Sequence, residues 1–225
     1  MEYAAALELQ RELQLRVIES RETGAHAMTV LLVEHDPPVI TISRRPGAAR
    51  HLVANDTQLR TAGVTVAPTD RGGDITCHGP GQLVAYPILD LNVLNLRLNG
   101  YLRFLHQVIV DTLAPFGIDG LRDPAATGVW VHSPHASTAK PQASKMAAIG
   151  VRVSRWVTIH AVALNVTTNL DHFDLIVPCG LTGRSVTSMQ QVLGNRCPGM
   201  DAVKQAFSNA FGNAIERPCR SRPSE

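Results

Sequence analysis

Four stretches of the sequence carry residue types that could do chemistry. In DLIVPCGL, residues 174 to 181, Cys179 stands between Pro178 and Gly180, just past the apolar run Leu175, Ile176 and Val177. A thiol acts as a nucleophile when it is partly exposed and a nearby cation or backbone N–H groups stabilise its thiolate. Buried, it packs as a small apolar residue. The local sequence allows both. In SKMAAIGVRV, Lys145 directly precedes the apolar residues Met146, Ala147, Ala148 and Ile149. Desolvated at the rim of a strand, it could act as a general acid/base or pair with a thiolate; the commoner fate of such a lysine is to snorkel to the surface. From Arg71 to Gly81 the chain packs four glycines and a proline among Arg71, Asp74, Thr76 and His78. Hairpin turns would explain the glycines. The density of polar groups between them points to a binding loop whose backbone N–H groups approach a ligand. It matches neither GxxxxGK nor strand-GxGxxG-helix, so nucleotide use has no direct support. In TIHAVALNV, His160 and Asn165 interrupt a mostly apolar run. They read as satisfied core or strand-end residues, or, with Cys179, as a Cys–His–Asn hydrolase set.

The elements that must position these residues are legible in outline. The first twenty residues, with Leu7, Leu9, Leu13, Leu15 and Val17, predict an amphipathic helix. AMTVLLVEH and PVITIS predict strands separated by DPP, followed by a loop, RRPGAAR, and a further strand ending at Pro68. DITCH and QLVAYPIL predict two short strands. Residues 99 to 116 predict a helix with Leu102, Leu105, Val108, Ile109 and Leu113 on one face, Asn99 as its N-cap, and Pro115 and Gly117 at its end. GVWVH and the segment from Lys145 to Val166, turning around VSRW, predict strands flanking a polar loop at 132–144. A last helix starts near Asp201. Strand-rich blocks between helices, with no internal repeat, give an α+β or mixed α/β class in one domain over residues 1–216, and a basic, disordered tail over 217–225.

Composition narrows the function classes. Aromatic residues are only 4% of the 225, so the core is expected to be aliphatic and base-stacking platforms are not expected. A net charge of +2, with clustering only at Arg217, Arg220 and Arg222, does not argue for nucleic acid. No apolar run approaches the length of a membrane span, and the start lacks the layout of a secretory signal. Cys77, Cys179, Cys197 and Cys219 lie far apart with no CxxC pair, which is neither a disulfide framework nor a zinc ribbon. A cytoplasmic protein without a metal is the expectation.

Taken in chain order, RGGDITCHGPGQLVAYPILDL, ATGVWV, KMAAIGVRV, TIHAVALNV and IVPCGL closely resemble the lipoyl(octanoyl) transferases, or octanoyltransferases, from about Leu32 to the last helix. The resemblance implies a mixed β-sheet flanked by helices, as in biotin protein ligases and lipoate-protein ligases. It implies an acyltransferase that takes octanoate from octanoyl-acyl carrier protein and places it on a lysine ε-amine of lipoyl domains, those of 2-oxoacid dehydrogenase subunits and the glycine cleavage H protein. Transfer would run through a thioester on Cys179, with Lys145 as its partner. The substrate-binding stretches implied are Arg71, Gly72, Gly73, Asp74, Ile75, Thr76, Cys77 and His78; Ala148, Ile149 and Gly150; and Ala161, Val162 and Ala163. Cys77 stands where the family usually has an aromatic residue and Ala161 where it usually has glycine; both would reshape the acyl pocket. Nothing carries over to the loop at 132–144.

Thioester-to-amide transfer is downhill, so no ATP is expected, and the phosphopantetheine comes with the carrier. Backbone N–H groups near Gly180 and Leu181, or in the loop 71–78, are candidate oxyanion donors, and the apolar run before Cys179 and the AIGV strand are candidate walls of an acyl tunnel. Nothing demands a second copy, and a monomer is expected. The rival readings are an ATP-dependent lipoate or biotin ligase on the same scaffold, a non-catalytic acyl-carrier or lipoyl-domain binding module, and a hydrolase.

Overall fold

A computed structural model describes residues 1–132, 143–178 and 184–216. Cys179, the Gly180–Leu181 backbone, most of the loop at 132–144 and the basic tail lie outside the described residues.

The helix α1 (Tyr3–Glu19) leads into β1 (Thr29–Val33) and β2 (Val39–Ile42). Next come α2 (Asp56–Ala62), β3 (Thr65–Pro68), β4 (Ile75–His78) and β5 (Gln82–Ile88). After α3 (Leu98–Leu113) follow β6 (Leu121–Asp123), β7 (Ala126–His132), β8 (Ala143–Ser154) and β9 (Val157–Asn165), then α4 (Met189–Leu193) and α5 (Met200–Glu216). The strands form two sheets. One has six strands in the order β1-β5-β9-β8-β7-β6, antiparallel throughout. The other has three, β3-β2-β4, parallel at β2–β3 and antiparallel at β2–β4. The expected α+β class holds, and mixed pairing is confined to the small sheet.

Alternation of side chains gives the large sheet two apolar faces. One packs Leu83, Ala85, Ile149, Val162 and Leu164 against Tyr101, Leu105 and Ile109 of α3 and Phe207 of α5. On the other, Val84, Tyr86, Ile88 and Ile159 meet Ala6 and Val17 of α1. The small sheet has its own core, where Ile40, Ile75 and Cys77 pack with Leu59 of α2, Phe173 and Ile176.

Three local expectations are corrected. Asn99 lies inside α3, whose N-cap is Arg97 and has no side-chain cap bond. The Arg97 guanidinium lies 5.0 Å from the centre of the Trp156 ring, so a tertiary contact fixes this helix start. The predicted loop after β2 includes a 3-10 turn, Ala48–His51. The helix α2, absent from the sequence reading, is closed by a capping box in which Asn55 and Gln58 each accept the other's backbone N–H. The turn around VSRW is present: Arg155 and Trp156 both have positive φ, as a two-residue hairpin joining β8 to β9 requires.

Candidate active site

Lys145 owes its direction to an irregularity in β8. Val129 pairs with Ala147 and Trp130 with Lys145, so Met146 is an extra residue opposite β7. Met146 and Ala147 both pack in the main core. Strict alternation counted from Ala147 would send Lys145 into that core as well; the bulge turns it to the opposite face, where it lines a cavity. Lys145 is 7% exposed, so the alternative of a lysine snorkelling to the surface does not hold. Gly128 leaves room for its stem: a Cβ there would come 3.3 Å from Lys145 Cε and 2.5 Å from the Ala147 carbonyl oxygen.

The two predicted triplets on β8 and β9 face each other in register: Ala148 pairs with Ala163, Ile149 with Val162 and Gly150 with Ala161. Ile149 and Val162 turn into the main core. The small side chains of Ala148, Gly150 and Ala163 leave the other face shallow, and there the cavity opens, with a volume of about 210 Å³. The glycine loop forms its opposite wall. Gly72 N–H donates to the Val151 carbonyl at 2.8 Å, and the Arg71 guanidinium donates to the Thr41 carbonyl at 3.1 Å and hydroxyl at 3.0 Å. A Cβ on Gly150 would lie 2.8 Å from the Gly72 carbonyl oxygen, so the two backbones touch where glycine alone fits.

Every predicted binding residue except Cys77 lines this cavity together with Lys145. Cys77 sits in the small core opposite Ile40, so its side chain does not shape the pocket. Burial pushes its thiol up to about 12, which makes it inert. The expected tunnel wall from Leu175 to Val177 is also absent from the lining: Ile176 is core, the Leu175 carbonyl accepts from Val53 and Ala54 N–H, and Val177 N–H donates to the His51 carbonyl at 2.7 Å. Pro178, the residue before Cys179, lines a smaller pocket that shares Thr76, Lys145, Ala148 and Ala163 with the first. On the far side of the undescribed segment, Lys145 N–H donates to the Ser185 carbonyl and Thr187 N–H to the Lys145 carbonyl, both at 2.9 Å.

The sequence reading missed Tyr3, Arg45, Tyr86 and Ala125–Thr127, which also line the cavity. Tyr86, Ala126 and Thr127 stand inside the motifs QLVAYPILDL and ATGVWV without having been assigned to the site, while Tyr3 comes from α1, Arg45 from the loop after β2 and Ala125 from the turn between β6 and β7. His160, left open in the sequence, lines it too. Its φ of 60° is a left-handed conformation inside a strand, and its N–H donates to Gln10 Oε1 of α1 at 2.8 Å. Such strain persists only where surroundings impose it.

Hydrogen bonds fix the proton positions. Gln82 Nε2 donates to Asn165 Oδ1 at 2.8 Å and to the Cys77 carbonyl, so its Oε1 accepts from His78 Nδ1 at 2.7 Å. Asn165 Nδ2 donates in turn to the Thr187 carbonyl at 3.0 Å. Burial first, then the neighbouring His35 and Arg71, pushes His78 down to about 3. Burial pushes His35 down to about 4; its Nδ1 donates to the Met1 carbonyl and its Nε2 accepts from the Tyr86 hydroxyl at 2.6 Å. His160 is also lowered by burial, partly offset by Asp70, whose carboxylate it meets at 2.9 Å. Two of these imidazoles, His78 and His160, line the cavity beside the buried Lys145, with His35 packed behind His78. Burial disfavours the protonated form of each ring, and such a lining suits an uncharged, largely apolar group held next to an amine.

The chain matches the lipoyl protein ligase A/B catalytic domain model over residues 2–212. It is 47% identical over 216 residues to an octanoyltransferase of Solibacter usitatus, covering 96% of this chain and 90% of that one. It is 42% identical to an octanoyltransferase of Rubrobacter xylanophilus, with the same shares covered. Among solved structures it superposes on a bipartite lipoate protein ligase of Thermoplasma acidophilum with a TM-score of 0.64 at 16% identity, covering 92% of this chain and 79% of that one. A lipoate-protein ligase A bound with ATP gives 0.63 at 18%, with 88% and 76% covered. At such identities the superpositions speak for the fold, and the fold agrees with the sequence matches: the chain belongs to the lipoyl protein ligase A/B catalytic-domain family.

Proposed function

We propose that the protein is an octanoyltransferase of protein lipoylation, moving an octanoyl group from octanoyl-acyl carrier protein to the lysine ε-amine of a lipoyl domain. The observation that carries this reading is the convergence of Lys145, the 71–76 loop, His78, Ala148–Gly150 and Ala161–Ala163 on one cavity, in a chain whose relatives are octanoyltransferases.

The Cys179 thiolate attacks the octanoyl thioester carbonyl. The tetrahedral intermediate collapses, the carrier's phosphopantetheine thiolate leaves, and Lys145 supplies its proton. The octanoyl group then sits on Cys179 as a new thioester. The acceptor lysine attacks this carbonyl, Lys145 takes the proton from the amine, and Cys179 leaves as thiolate. One thioester is exchanged for one amide, so no ATP is consumed. Each methylene of the acyl chain withdrawn from water stabilises the complex by about 0.8 kcal/mol, and the Ala and Gly floor of the cavity provides the space.

The test is intact mass after mixing with octanoyl-acyl carrier protein and quenching in acid. One added octanoyl group, absent in Cys179→Ser and discharged by a lipoyl domain, is the expected result. Transfer without any adduct would remove the covalent step. Transfer only with ATP would make the chain a ligase, and release of free octanoate without an acceptor would make it a hydrolase.

A further inference from the structure

Lys145 ends on an aromatic face. Its Nζ lies 4.9 Å from the centre of the Trp130 ring, and the Arg184 guanidinium lies 4.1 Å from the same ring. The indole is 1% exposed, and its Nε1–H donates to the Ala126 carbonyl at 2.9 Å, so the ring cannot turn with its cations. Arg184 is held in turn by an ion pair with Asp123 on β6. The main chain is fastened at the same place: Lys145 bonds through its N–H and carbonyl to residues 185 and 187, and the Ser144 and Ser185 hydroxyls meet at 2.6 Å.

A lysine stem has four rotatable carbons, and a general acid/base must present its nitrogen at one place to move a proton. A cation over an indole face is attracted by the ring's quadrupole, and more strongly when desolvated. We infer that Trp130 is a positioning residue of the transfer reaction: its π face aims the Lys145 ammonium into the cavity, and the Arg184–Asp123 pair ties the segment after residue 183 to the same ring. This rests on the proposed transferase reading. The bulge at Met146 and the missing side chain at Gly128 turn the lysine towards the cavity, and Trp130 sets where it stops.

The experiment compares Trp130→Phe with Trp130→Leu. Both remove the indole N–H bond and both are smaller than tryptophan, so packing losses are similar, while only phenylalanine keeps a π face. The expected result is a kcat lowered about tenfold in the leucine variant, a KM for octanoyl-acyl carrier protein within about twofold of wild type in both, and substantial recovery of kcat in the phenylalanine variant. Equal kcat in the two variants, or a loss confined to KM, would overturn the inference. A second readout needs no turnover. In a Trp156→Phe background Trp130 is the remaining indole of the two in the chain, and Lys145→Met should change its fluorescence; an unchanged emission would also overturn it. A wild type that transfers no octanoyl group would instead overturn the transferase reading, and the fluorescence result would still judge the contact.

Discussion

At Gly150 a neighbouring backbone occupies the place of a side chain, with the Gly72 carbonyl 2.8 Å from where a Cβ would stand. Gly150→Ala is expected to lower stability by about 1–3 kcal/mol, the cost of overpacking, and to raise KM, because the segment pushed away is the wall of the cavity. Urea denaturation and steady-state kinetics read the two effects separately. At Lys145 the expectation is different. Lys145→Met keeps an unbranched stem over Gly128 and removes the proposed proton carrier. Its kcat should fall about a hundredfold or more, with KM for the acyl carrier near wild type. A full kcat in this variant would end the role of Lys145 in proton transfer.

Elements matter here through the links between them. The pair Gln82 on β5 and Asn165 on β9 carries hydrogen bonds from His78 on β4 to the Thr187 carbonyl, and so joins the small sheet, the large sheet and the strand-like segment beside Lys145. Gln82→Leu leaves His78 Nδ1 and the Asn165 amide without these partners in a buried place. It should cost at least about 2 kcal/mol in urea titration, and more than Gln82→Glu at a pH where the new carboxyl is neutral. Much of this arrangement was legible beforehand. Glycines and prolines punctuating apolar runs marked β4 and β5, the apolar run turning at VSRW marked β8 and β9, and the order of the motifs marked the loop and both triplets. The direction of Lys145 was not legible, because it depends on how β8 pairs with β7. Nor were Tyr3 and Arg45, which reach the cavity from distant segments. Helix α2 did leave a signal, with Asn55, Gln58 and Gly63 at N-cap, third and C-cap positions. The three residues of β6 are too few for any period to register.

The whole molecule carries buried histidines held neutral. His35 and His78 are pushed down to about 4 and about 3, chiefly by burial. Between pH 6.5 and about 4 the unfolded chain binds protons at these rings that the folded chain does not, so stability falls as pH falls through that window. The aspartate Asp70 adds to the same trend at lower pH: burial alone would raise it, but the His160 hydrogen bond and Arg152 hold it below the usual carboxylate range. The urea midpoint should therefore be lower at pH 5 than at pH 7, and His35→Gln should flatten the dependence. A midpoint independent of pH across that range would mean that these rings are hydrated and free to protonate in the folded protein.

From Ala147 to Ser154, β8 pairs with β9 residue for residue, without a slip. Any preference for acyl chain length set on this face is thus a matter of side-chain volume on a fixed lattice, not of loop conformation. Ala148→Val or Ala163→Val, each adding two methyl groups, would shorten the accepted chain by filling space the backbone does not move to restore, and the face works as a gauge set by side-chain volume.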